Sequence, residues 1–102
     1  MIKKNKDVLW LCILAMLEKE GKKHGYEIAT ILEKLFDVDE TQVLLDLITL
    51  KSENMIEEIY AQENDGMLGA CYGITSIGGT TFRELLYSWV SQKNKVEIFL
   101  FG

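Results

Sequence analysis

The apolar positions of the chain divide it into four helical stretches and one pair of short extended ones. Leu9 to Leu17 is apolar nearly without interruption, with Asp7 placed to cap its start and Gly21 to end it. A helix that is apolar on all sides must be covered from more than one direction. A chain of this size has few elements to do so, and a second subunit is expected on the face carrying Trp10 and Leu14. Gly21-Lys22-Lys23 reads as a turn. A second helix opens at His24, with Glu27 three residues on in the position of a capping carboxylate. Its inner face is Ile28, Ile31, Leu32, Leu35 and Phe36, at the spacing of one helical stripe.

Asp37-Val38-Asp39 is the turn into a third helix, and acids and small polar residues suit that helix's N-terminus. Leu44, Leu47, Ile48 and Lys51 share one stripe, flanked by Val43 and Leu50. Thr41, Gln42, Leu45, Asp46, Thr49 and Ser52 are expected to point outward. Asn54 tolerates the left-handed backbone and ends the helix. A strand follows from Met55 to about Gln62, then a turn from Glu63 to Ala70 built on Asn64-Asp65-Gly66, then a returning strand Cys71 to Ile74. Thr75 or Ser76 caps a last helix whose stripe is Phe82, Leu85, Leu86, Trp89 and Val90, ending near Asn94. Gly78-Gly79 in its first turn costs roughly 1 kcal/mol per glycine in helix propensity, which close packing would explain. The apolar tail Lys95 to Phe101 is expected to pack on the body or on a partner.

The order helix, helix, helix, strand, strand, helix predicts a mainly α fold with a small β-hairpin. It is a winged helix-turn-helix with an additional C-terminal dimerisation helix. Residues 1–102 are expected to form one domain, with 75–102 as the helix and tail that meet a partner.

Composition alters this picture little. Of 102 residues, 48% are hydrophobic and 26% charged, ordinary for a soluble chain with one modest core. The net charge of −5 works against phosphate binding, although distribution matters more than the sum. Val8 to Leu17 is too short to span a bilayer, which needs roughly 20 apolar residues, and Glu18-Lys19-Glu20 follows in place of a cleavage site. A cytoplasmic chain without a membrane segment is expected. Cys12 and Cys71 lack metal-like spacing and read as buried small hydrophobes, so no metal or cofactor is implied. His24 has no triad-like partners and no catalytic pattern is present, so an enzyme is not expected.

Three short motifs resemble a known family. His24-Gly25-Tyr26-Glu27-Ile28 is similar to the HGYEI motif that opens the second helix of PadR-like transcriptional regulators. Leu50 to Ile56 resembles their exit from the recognition helix, with Asn54 in place of Gly. Tyr72-Gly73-Ile74-Thr75-Ser76-Ile77-Gly78 resembles their passage from the wing into the last helix. The likeness runs from Val8 to about Trp89. It implies a cytoplasmic homodimer that binds palindromic double-stranded DNA and usually represses genes, its last helix packing on the partner's first. This chain departs from the pattern. Leu44 stands where the family often has Tyr, Lys51 is the only base in the third helix, and the wing has none.

With that fold, Thr41, Gln42, Leu45, Thr49 and Ser52 become candidates for reading base edges; Gln can pair with adenine in the major groove. Lys22, Lys23 and Lys51, together with Lys3, Lys4 and Lys6, are candidates for phosphate, as is the helix N-terminus at His24. Candidate dimer contacts are Trp10, Leu14, Phe82, Leu86, Trp89 and Phe99; Trp10 and Trp89 could alternatively line an aromatic-ligand cleft. Besides a dimeric repressor, two readings stay open: a centromere-binding adaptor of a plasmid or phage partition system, which would recruit a filament-forming NTPase, and a winged-helix protein-interaction module.

Overall fold

A computed structural model of the protein describes residues 6–59 and 70–102. The elements are α1 (Lys6–Glu20), β1 (Lys22–His24), α2 (Gly25–Phe36), α3 (Glu40–Ser52), β2 (Ile56–Ile59), β3 (Cys71–Ile74) and α4 (Ser76–Phe101). The expected turn Glu63 to Ala70 lies, up to Gly69, outside the described residues, as do Lys3, Lys4 and the side chain of Lys6.

Helix α1 is the centre of the packing, touching α2, β1, β3 and α4. This explains its all-round apolarity within one protomer. Leu9, Trp10, Ile13, Leu14 and Leu17 are all buried and join Ile28, Leu32, Val43, Leu47, Leu50 and Ile56 in one core. Trp10 and Leu14, expected at a subunit interface, therefore belong to the protomer's own interior. The helix begins one residue ahead of Asp7, its expected cap, and ends at Gly21, whose φ of +84° closes it with a Gly21 N–H bond to the Leu17 carbonyl (2.9 Å).

Lys22 and Lys23 are not in a turn. With His24 they form an edge strand, in a sheet of order β1-β3-β2 with both pairings antiparallel. Lys22 lies opposite Gly73 and His24 opposite Cys71, so the expected hairpin is the larger part of a three-stranded sheet.

Helices α2 and α3 make the helix-turn-helix. Asp37 takes the left-handed conformation (φ 54°) and its N–H reaches the Glu33 carbonyl at 3.2 Å. Val38 is buried in the turn and Asp39 is the N-cap residue of α3. Leu35 and Phe36, expected on the inner stripe of α2, are exposed at its C-terminal end. Helix α3 ends in a Schellman arrangement: Asn54 N–H bonds to the Lys51 carbonyl and Met55 N–H to the Leu50 carbonyl, both at 3.0 Å, with Asn54 at φ 62°. Asn54 thus does the work expected of it.

Thr75 ties this exit to the start of α4. Its hydroxyl donates to the Asn54 carbonyl (2.6 Å) and accepts from Gly78 N–H (3.0 Å), while its own N–H donates to the Met55 carbonyl (3.1 Å). Gly78 lies directly against that carbonyl; a Cβ there would sit 1.9 Å from the Met55 oxygen. Helix α4 does not stop near Asn94 but continues to Phe101, 26 residues in all. Nothing after Gly79 breaks it, and Lys93 and Glu97 pair across one turn at 3.6 Å. The supposed tail is helix, and Val96, Ile98, Phe99, Leu100 and Phe101 on it are exposed.

Candidate nucleic-acid interface

The outer face of α3 is set by which residues its inner face buries. Val43, Asp46, Leu47 and Leu50 point inward. At about 100° per residue the opposite arc carries Thr41, Leu45, Ile48 and Ser52, with Gln42 and Thr49 along one flank. Two sequence assignments change. Ile48, placed on the inner stripe, is 59% exposed beside Leu45 at 51%, and Asp46, placed outside, is 6% exposed. Six apolar residues between Val43 and Leu50 fit two rotational phases equally. The set Val43, Leu47 and Leu50 was the signal for the right one, because only that phase leaves Thr41 and Ser52 at the centre of the wet side.

Polar groups on this face are partly engaged within the helix. Gln42 Nε2 donates to Asp46 Oδ1 at 3.1 Å. Thr49 Oγ1 donates to the Leu45 carbonyl (3.1 Å) and Ser52 Oγ to the Thr49 carbonyl (2.8 Å). Each hydroxyl keeps lone pairs to accept with. The centre of the face carries no charge.

The candidate phosphate anchors differ sharply. Lys23 is the least available: its ammonium lies 2.8 Å from Glu20 Oε2 and 3.9 Å from Glu27 Oε2, with the side chain only 13% exposed. Lys51 pairs with Glu58 across to β2 at 3.2 Å. Lys22 is exposed and makes no ion pair among the described residues. His24 is buried at the N-cap of α2 and makes no side-chain cap, and Gly25 N–H is taken by the Ala70 carbonyl (3.0 Å). Glu27 faces Lys23 instead of completing a capping box. Gly25 itself is buried beneath Tyr72: a Cβ there would meet the ring edge at 3.2 Å and Leu47 at 3.5 Å. That contact accounts for the glycine of the His-Gly-Tyr-Glu sequence. Burial raises the Tyr72 phenol above its ordinary pKa; Glu58 adds to the rise and Lys51 opposes it. Glu57 and Glu58 expose carboxylates along β2, so the first wing strand is acidic.

Among the proposed interface residues, Phe82 packs partly against the core while Leu86, Trp89 and Phe99 are exposed. Trp10 lies in the core and Trp89 on the open part of α4, so within one chain the two do not share a cleft. Among the described residues no three His, Cys, Asp or Glu are grouped to hold a metal, and no helix is long and apolar enough to cross a membrane.

The same architecture occurs in known regulators. The crystal structure of a PadR-like transcriptional regulator from Bacillus cereus superposes with a TM-score of 0.81 at 30% identity, covering 93% of each chain. The chain belongs to the PadR-like family of transcriptional regulators. A PadR family regulator from Clostridium difficile agrees at TM-score 0.77 and 27% identity over 92% of this chain and 98% of that one. An uncharacterized protein of Lysinibacillus sphaericus is 28% identical over 94 residues, 88% of this chain and 86% of its own length. Bacillus subtilis PadR in complex with operator DNA shares the fold at TM-score 0.65 and 23% identity, over 78% of this chain and 46% of that one. No family model matches the sequence. Regulators of the PadR-like family are not enzymes.

Proposed function

We propose that this PadR-like regulator is a dimeric, cytoplasmic repressor that reads palindromic double-stranded DNA with the outer face of α3. One observation carries the reading: the second helix of a helix-turn-helix presents an uncharged arc, Thr41-Leu45-Ile48-Ser52, flanked by an amide and a hydroxyl. That face has the right chemistry for a major groove. Leu45 and Ile48 can meet thymine methyl groups, and Gln42 and Thr49 can meet base-edge donors and acceptors. Bacillus subtilis PadR, which shares this fold, is in complex with operator DNA, and that supports double-stranded DNA as the partner.

The dimer is argued from α4. Phe82, Leu85, Trp89, Gln92, Val96 and Phe99 follow alternating spacings of three and four, the seam pattern of paired helices. The first two positions pack on the protomer's core. The later ones overhang on a helix about 39 Å long, with Phe99 91% exposed. Attraction for phosphate falls to Lys22 more than to the acidic wing strand.

Selection of duplexes from a random pool by the purified protein tests the proposal. Enrichment of a palindromic site is expected, together with its loss in Ile48→Glu, a variant whose side chain lies outside the core and whose melting should stay unchanged. A reporter placed behind that site should be silenced by the wild type. No enriched sequence, or an undiminished site in Ile48→Glu, would refute docking by α3.

A further inference from the structure

The geometry points to Asp46 as a positioning residue that fixes which base Gln42 can read, an inference that rests on α3 being the DNA-contacting helix. Asp46 lies between the flank carrying Gln42 and the buried face, and is 6% exposed. Its Oδ1 accepts from Gln42 Nε2 at 3.1 Å. In this pairing the carboxylate oxygen accepts, so the amide turns its nitrogen toward Asp46 and its oxygen away.

A fixed amide has one free N–H and one free oxygen, side by side and facing out. Adenine offers the complement in the major groove: N7 accepts and the N6 amino group donates. An unrestrained glutamine can turn its amide over to suit other base edges. One held by Asp46 keeps the adenine pattern.

A second observation argues that the carboxylate is not there for stability. Its other oxygen, Oδ2, is buried and has no hydrogen-bond partner among the described residues. A buried acceptor left without a donor burdens the fold, and an apolar residue on the inner face would avoid that burden. Surface Gln–Asp pairs one helical turn apart do support isolated helices, so a purely structural role is the competing account.

The test uses the full-length protein and the duplex it selects from a random pool. Affinity is measured by fluorescence anisotropy with each base pair in turn at each position, and with 7-deazaadenine, which lacks the N7 acceptor. The wild type should prefer adenine at one position of each half-site by roughly tenfold or more, and lose that preference with 7-deazaadenine. Gln42→Ala should abolish the preference at that position alone. Asp46→Leu should do the same, and Asp46→Asn, whose amide can sit either way, should blur it. Both Asp46 variants should lose the preference at that position by a larger factor than any change in their affinity at the other positions. A structural role would instead lower affinity evenly across positions. Wild-type adenine preference in both Asp46 variants would overturn the inference while leaving docking by α3 intact. A wild type that selects no sequence would remove both.

Discussion

Gly78 and Gly79 are adjacent, both buried, and should respond to alanine with opposite signs. At Gly78 the new Cβ would lie 1.9 Å from the Met55 carbonyl oxygen and 2.8 Å from Ile74 Cγ1. The first of these is backbone, so no rotamer change relieves it. The start of α4 would have to move by over an ångström, to beyond the 3.0 Å that real Cβ contacts respect. That movement strains the hydrogen bonds Thr75 makes to Asn54, Met55 and Gly78. Overpacking costs about 1–3 kcal/mol, and each weakened hydrogen bond adds up to about 1 kcal/mol. Alanine returns about 1 kcal/mol of helix propensity. These terms span about 0–5 kcal/mol, and the backbone clash places the expected loss near the middle, about 2–3 kcal/mol of a typical domain's stability of about 5–15 kcal/mol. At Gly79 the Cβ would meet only the Arg83 guanidinium, at 3.7 and 4.0 Å, which is ordinary contact. The propensity gain should therefore survive, stabilising by up to about 1 kcal/mol. Urea denaturation followed by far-ultraviolet circular dichroism, at one fixed protein concentration, measures both. Equal signs for the two variants, or a neutral Gly78→Ala, would show that the joint between β2 and α4 is not the close backbone contact described.

Lys22→Ala should weaken binding to specific and random DNA alike and reduce the salt slope by about one, whereas Lys23→Ala, whose ammonium is held by Glu20, should change the slope less. Titration at several salt concentrations separates them. Trp89→Glu should shift the protein toward monomer, read by light scattering at micromolar concentration, without lowering the helix content of the protomer. Stability should fall as pH rises above about 8.5 through the thiol and above about 10 through the phenol, where the unfolded groups ionise. Burial raises the pKa of Cys12, and burial followed by Glu58 raises that of Tyr72. The folded state thus holds these protons longer than the unfolded chain, and each contribution is full below the unfolded value and lost as pH rises through the raised folded one. Denaturation midpoints across the range should decline less in the double variant Cys12→Ser, Tyr72→Phe.

The parts of the fold legible in the sequence were those with a local physical cause. The left-handed stop at Asn54 and the cap of Thr75 on Gly78 depend on neighbours a few residues away, whereas Gly78 showed itself only as a propensity cost and is explained by the Met55 carbonyl, far back along the chain. Strand β1 was hidden because Lys22-Lys23-His24 shows no alternation of its own; it exists through pairing with β3, far along the chain. Trp10 and Leu14 were assigned to an interface because the sequence does not reveal how many elements surround α1. On the candidate interface of α3, Thr41, Gln42, Leu45 and Ser52 face outward as expected, while Ile48 and Asp46 change places. Leu44, Leu45 and Ile48 make one side of that helix as apolar as the side that is buried. The same ambiguity concealed Asp46, since an acid on a DNA-binding helix reads naturally as solvent-facing.

The joint at Thr75 has a geometric consequence for the proposed dimer. Because α3 leaves directly into β2 and Met55 is clasped by Thr75 and Gly78, the recognition helix and the root of α4 turn as one piece. Where the two α4 tips meet then fixes how far apart the two recognition helices stand. Helix length becomes the ruler. One residue inserted between Gly79 and Trp89 would advance the tip by about 1.5 Å and rotate it by about 100°. Such a change would re-space the half-sites while leaving every base-facing residue untouched. In this architecture, which letters are read and how far apart they are read can vary independently.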